Sequence, residues 1–102
     1  MINDRLGLSA LLREILGSDN VYYQPPESKK LNYPAIVYSR ERIDNRLASN
    51  KVYKQDRAYR LTIIDKNPDS EIVDKISSLP MCTFDRHFTS DNLNHDVFTI
   101  YY

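Results

Sequence analysis

The last six residues, Val97-Phe98-Thr99-Ile100-Tyr101-Tyr102, constrain this chain more than any other segment. β-branched and aromatic side chains dominate the run, so it needs a sheet to pair with and a core to cover it. A second strand-like run lies at 84–88, with a polar turn over 89–94 between the two. Together they predict a closing β-hairpin over 81–88 and 95–102. The final strand is expected to be structural and the domain to be complete at Tyr102. A length of 102 residues fits one domain, taken as 1–102.

Upstream, Leu8, Leu11, Leu12, Ile15 and Leu16 follow the i, i+3, i+4, i+7 spacing of an amphipathic helix. Asn3 or Asp4 suits its cap and Gly17 its C′ position, which predicts a helix over 4–16. Residues 21–24 read as a short strand stopped by Pro25-Pro26. Residues 35–43 form a strand that starts apolar and turns polar. In 52–64, Tyr59, Leu61 and Ile63 alternate with Arg60 and Thr62, which marks a long strand with one apolar face. These two strands predict a long hairpin with a polar tip over 44–51. Asn67-Pro68 then suits a helix start, Ile72, Val73, Ile76 and Leu79 its buried stripe, and Pro80 its end. The expected fold is α+β, a mostly antiparallel sheet with a long hairpin, in the order α-β-β-β-α-β-β.

Composition narrows the function classes. Hydrophobic residues make up 41%, as in folded proteins. Eight Tyr against three Phe and no Trp suits half-buried sheet faces or subunit interfaces, and a Tyr-rich sheet is the simpler reading. Fourteen basic residues balance fourteen acidic ones, whereas a general nucleic-acid binder carries a basic excess. The balance is uneven along the chain. Within 40–60, Arg40, Arg42, Arg46, Lys51, Lys54, Arg57 and Arg60 face only three acids. Within 65–96, seven acids, among them Asp69, Glu71, Asp74 and Asp91, face three basic residues. Two solvated faces of one domain account for this. So does a head-to-tail contact in which the basic region of one copy meets the acidic region of the next.

The residues with chemical potential are Cys82, Asp85, His87, His95 and Asp96. Asp85 and His87 stand two apart, so they are expected on one strand face, with His95 and Asp96 across the hairpin. Imidazole and carboxylate are ordinary metal ligands, but the spacing matches no metal signature. Cys82 with His87 is a weaker nucleophile pair, since nothing in the sequence lowers the thiol pKa. Asp65, Lys66 and Glu71 could serve a divalent-metal nuclease, yet a strand-to-helix turn with capping acids explains them better. Tyr53, Lys54, Arg57, Tyr59 and Arg60 could form a nucleic-acid strand face, a protected hairpin edge or a docking arm. Only Gly7 and Gly17 are present, too few for a phosphate-binding loop. One cysteine excludes an intrachain disulfide and fits a reducing compartment. The N-terminal region shows neither a signal-peptide pattern nor a membrane span.

Three stretches carry a resemblance. They are Tyr33-Pro34-Ala35-Ile36-Val37-Tyr38; Tyr59-Arg60-Leu61-Thr62-Ile63-Ile64-Asp65 with Asn67-Pro68-Asp69-Ser70; and Phe84-Asp85-Arg86-His87 with Asp91-Asn92-Leu93-Asn94-His95-Asp96. From about Leu11 onward the chain resembles the small neck proteins of long-tailed bacteriophages, known as tail-completion or tail-terminator proteins and also as minor capsid or head-tail joining proteins. The resemblance implies an α+β domain that forms a ring, six copies in number, on the head-proximal end of the tail tube. Its implied partners are further copies of itself, the tail tube protein and the head connector or stopper protein. DNA would pass through the lumen unread. It implies no cofactor and no catalytic residue, and a location in the virion, after assembly in the host cytoplasm. A neck adaptor or head-completion protein that stoppers packaged DNA is the alternative, and a small metal-dependent nuclease a remote one.

Overall fold

A computed structural model describes residues 5–48 and 51–102, with the side chains of 5–43 and 57–102. Helix α1 (Arg5–Leu16) precedes strands β1 (Val21–Tyr23), β2 (Ala35–Ala48) and β3 (Lys51–Asp65). Helix α2 (Glu71–Ser77) and strands β4 (Cys82–Ser90) and β5 (Leu93–Tyr101) complete the order α-β-β-β-α-β-β. The five strands form one sheet ordered β1-β2-β3-β5-β4. Only β1 and β2 run parallel; the other neighbours are antiparallel. The α+β class and the element order agree with the sequence reading.

In α1 the apolar stripe buries Leu8 and Leu12 completely, while Ile15 and Leu16 pack at the margin of the core. Gly17 takes a left-handed conformation (φ 78°) and donates its N–H to the Arg13 carbonyl at 2.8 Å, the bond that closes an αL C-cap. Asn3 and Asp4, the expected caps, lie outside the described residues. The sheet contributes Ile36, Tyr38, Leu61, Ile63, Phe98 and Ile100 to the same core, so both helices lie on one face. Tyr38 is a node of this core. Its ring lies 4.9 Å from that of Tyr23 and 6.1 Å from that of Tyr59, and its hydroxyl shares a hydrogen bond with buried Ser9. Neither helix covers the opposite face of the sheet.

Three boundaries differ from the sequence reading. Asn67 does not start α2. The Asp65 carboxylate accepts the Asn67 N–H and the Asn67 side chain accepts the Asp69 N–H, each at 3.0 Å. These side chains are spent on the loop, and Ser70 becomes the cap by accepting the Ile72 N–H at 3.3 Å. The polar segment 44–51 is not all connector: β2 and β3 stay paired through Ala48↔Lys51, and only Ser49 and Asn50 lie outside the described residues. The closing turn is also shorter than 89–94. Asp91 and Asn92, both with positive φ (53° and 62°), connect the paired residues Ser90 and Leu93. Asp and Asn tolerate this left-handed geometry, which suits a two-residue hairpin turn.

Candidate assembly surfaces

Strands β2 and β3 outrun the rest of the sheet. β1 pairs only with Ile36–Tyr38, and β5 pairs with β3 only from Ala58 to Asp65. Beyond those points, among the described residues, β2 and β3 pair only with each other, from Ile43↔Arg57 outward to Ala48↔Lys51. The result is a two-stranded arm on a molecule whose longest dimension is 52 Å. Arg46, Lys51, Lys54 and Arg57 occupy arm positions, with Arg40, Arg42 and Arg60 at its root. The side chains of Arg46, Lys51 and Lys54 lie outside the described residues.

Not every basic residue of this region faces outward. Arg60 pairs with Glu41 at 2.6 Å on the helix-free face of the sheet. Thr99 Oγ1 donates to the other Glu41 oxygen at 3.4 Å, and the Arg42 guanidinium sits 5.2 Å from the centre of the Tyr101 ring. Glu41 stands two residues from Ser39, the cross-strand partner of Arg60, so strand alternation places it on this face, and a bulge then adds Arg42 to the same face. The register passes from Arg40↔Tyr59 to Arg42↔Ala58, which leaves Glu41 as the extra residue. These side chains, with Thr83, Phe84 and Asp85, line a cleft of about 350 Å³. Sequence reasoning missed Glu41, Thr99 and Tyr101 here, because which residues of separate strands stand side by side depends on strand order and register, which leave no periodic trace. Arg60 is therefore committed within the chain and fixes the root of the arm. The Arg57 carbonyl accepts the Tyr102 N–H at 3.1 Å, which anchors the C-terminal residue beside the arm.

Several exposed acidic residues lie at the other end of β3. β3 runs from the arm to Asp65, and Asn94 Nδ2 bridges the Asp65 and Lys66 carbonyls at 3.3 Å each. This ties the β4–β5 turn, with exposed Asp91, to the loop that carries exposed Asp69. Glu71 and Asp74, also exposed, occupy the first turn of α2, which starts from that loop. Four of the seven acids of 65–96, namely Asp69, Glu71, Asp74 and Asp91, thus lie at the end of β3 opposite the arm, where Lys66 and Lys75 are also exposed.

The Cys82, Asp85, His87, His95, Asp96 set does not assemble. Asp85 and His87 were expected on one face, but a bulge passes the register from Phe84↔Phe98 to Arg86↔Val97 and makes Asp85 the extra residue. Asp85 therefore turns to the helix-free cleft, whereas His87 pairs with Asp96 on the helix side. His95 stacks on Phe88, ring centres 4.6 Å apart, with Nδ1 3.1 Å from the Leu93 carbonyl. Cys82 pairs with Ile100, four β5 residues from Asp96 or about 13 Å along the strand. Partial burial also pushes its thiol pKa up, which opposes thiolate formation. Among the described residues no three His, Cys, Asp or Glu side chains come together as a metal site.

Partial burial raises the Asp96 carboxyl pKa, against the opposing pull of His87 and His95. A raised carboxyl makes the folded state the better proton binder, so stability falls as pH rises from the ordinary value through the raised one. Asp96→Asn removes that loss. The variant is expected to melt above the wild type at about pH 7, with the advantage fading below about pH 4, where the carboxyl becomes protonated in the folded and the unfolded chain alike. Calorimetry at the two pH values checks this; a lower Tm for the variant at neutral pH would make the carboxylate a net stabiliser through its histidines.

Compared with known proteins, the chain matches no family model and no curated sequence. Among the described residues no helix is long and apolar enough to cross a membrane.

Proposed function

We propose that this chain is a structural protein of the phage neck, a tail terminator that forms a ring on the head-proximal end of the tail tube. The observation that carries this reading is the two-pole geometry: a projecting arm with an excess of basic positions at one end and exposed Asp69, Glu71, Asp74 and Asp91 at the other. Such a molecule offers two different, complementary surfaces. Contacts between unlike surfaces are heterologous, and they close into a ring when the rotation between copies divides a full turn. Electrostatic complementarity sets the register of that contact and disfavours like-pole pairing. The resemblance of the sequence to the tail-completion proteins is what implies six copies, the tube and the head connector as partners, and the passage of DNA. The last contact to form is intramolecular, so individually weak contacts suffice once a tube tip gathers the copies.

The reading is tested by adding purified protein to tail tubes of the phage that encodes it. Rings on one end of the tubes and arrested elongation are expected. Binding to isolated head connectors with no effect on tubes would instead assign the neck-adaptor role.

A further inference from the structure

β4 is the edge of the sheet, bonded to β5 on one side and to nothing among the described residues on the other. Its residues from Thr83 to Ser90 are all exposed. Phe84 and Phe88 remain 52% and 42% exposed, on a strand with neither Lys nor Pro to guard it. Natural edge strands of this length carry such guards because open edges pair with other chains.

The bulge at Asp85 gives this edge a particular symmetry. Cys82, Phe84, His87 and Thr89 register with Ile100, Phe98, Asp96 and Asn94, which places them on the helix side. Thr83, Arg86 and Phe88 register with Thr99, Val97 and His95 on the helix-free side, and Asp85 joins them by lining the cleft there. Read outward in both directions from the Asp85–Arg86 bond, the faces therefore follow the same sequence. An antiparallel copy of β4, related by a twofold axis through that bond, matches every side chain with one on the same face. Asp85 then meets Arg86 of the second copy twice, Phe84 meets His87, and Thr83 meets Phe88. Without the bulge, alternation would set Asp85 and Arg86 on opposite faces and the match would fail. Within one chain Asp85 and Arg86 make no more than a long ion pair of 4.0 Å and both side chains are well exposed, so both charges can also reach a partner. A bulge guards an edge by twisting it away from a regular strand; two identical bulges facing each other at the axis twist alike.

We infer that the free protein pairs with a second copy of itself through β4, forming a ten-stranded antiparallel-joined sheet across a twofold axis. This contact is isologous and stops at two copies, unlike the ring contact between the poles, and it does not rest on the tail-terminator reading. A pairing strand edge is also the mode in which main-chain bonds supply affinity and side-chain placement supplies specificity.

Sedimentation equilibrium on the full chain tests it with three variants. The wild type is expected to dimerise, Asp85→Arg and Arg86→Asp each to weaken dimerisation by about tenfold or more through like charges at the axis, and the double swap to restore it. Circular dichroism confirms that each variant is folded. A mutation-free arm follows amide exchange over 83–88 in the wild type, which is expected to slow as concentration rises. A wild type that stays monomeric, a single reversal that dimerises as tightly as wild type, a double swap that fails to recover, or exchange indifferent to concentration would each overturn the inference. A six-copy assembly without a dimer would also overturn it, while favouring the ring.

Discussion

Phe98→Ala is expected to lower the melting temperature by roughly 15 °C or more and to leave much of the chain unfolded at physiological temperature. Phe98 is 1% exposed and lies on β5, between β3 and β4 in the sheet. It pairs with Leu61 on one side and Phe84 on the other, and its ring meets that of Phe84 edge-on with centres 5.3 Å apart. Truncating a buried Phe costs about 3–5 kcal/mol, from lost transfer energy and the cavity left behind. A domain of this size has only about 5–15 kcal/mol in total. Phe88→Ala is the matched control: on the exposed edge it should cost no more than about 1 kcal/mol. Thermal melts by circular dichroism separate the two. A drop of only a few degrees for Phe98→Ala would mean that the hairpin is not integral to the core.

Excising the arm is expected to abolish tube capping while leaving the fold intact. Ile43 and Arg57 are cross-strand partners, so residues 44–56 can be replaced by Asn-Gly, a pair suited to a two-residue hairpin turn. The replaced segment lies where β2 and β3 pair with each other, past the positions that β1 and β5 flank. The melting temperature should stay within several degrees of wild type, since surface changes away from the core usually shift stability by about 0.5 kcal/mol or less each. Rings on tubes should disappear. A shortened chain that still caps tubes would remove the arm from the assembly contact. Charge reversal at Arg60 is a poorer probe, because its partner is Glu41 of the same chain.

Much of the architecture was legible because it follows from periodicity. The leucines of 8–16 repeat at helical spacing and form α1. Tyr59, Leu61 and Ile63 alternate and bury one face of β3. What stayed hidden depends on single residues that break a period. The extra residue at Glu41 turns Arg42 to the face that holds Arg60, and the one at Asp85 separates it from His87. Neither shift shows in composition or spacing, so the expected His–Asp cluster dissolved and the cleft went unforeseen. The polar ends of β2 and β3 looked like connector because paired ribbons outside a core need no apolar alternation. The acidic and basic regions were visible as stretches of sequence. Their placement at opposite ends follows from β3 running the length of the molecule and β5 returning beside only its second half.

The central claim, that this protein terminates tails, is tested most directly by electron microscopy of particles from the phage with this gene disabled. Overlong or headless tails beside DNA-filled heads are the predicted result. Empty heads that have lost their DNA would contradict termination and assign head completion, and normal virions would contradict a neck role altogether.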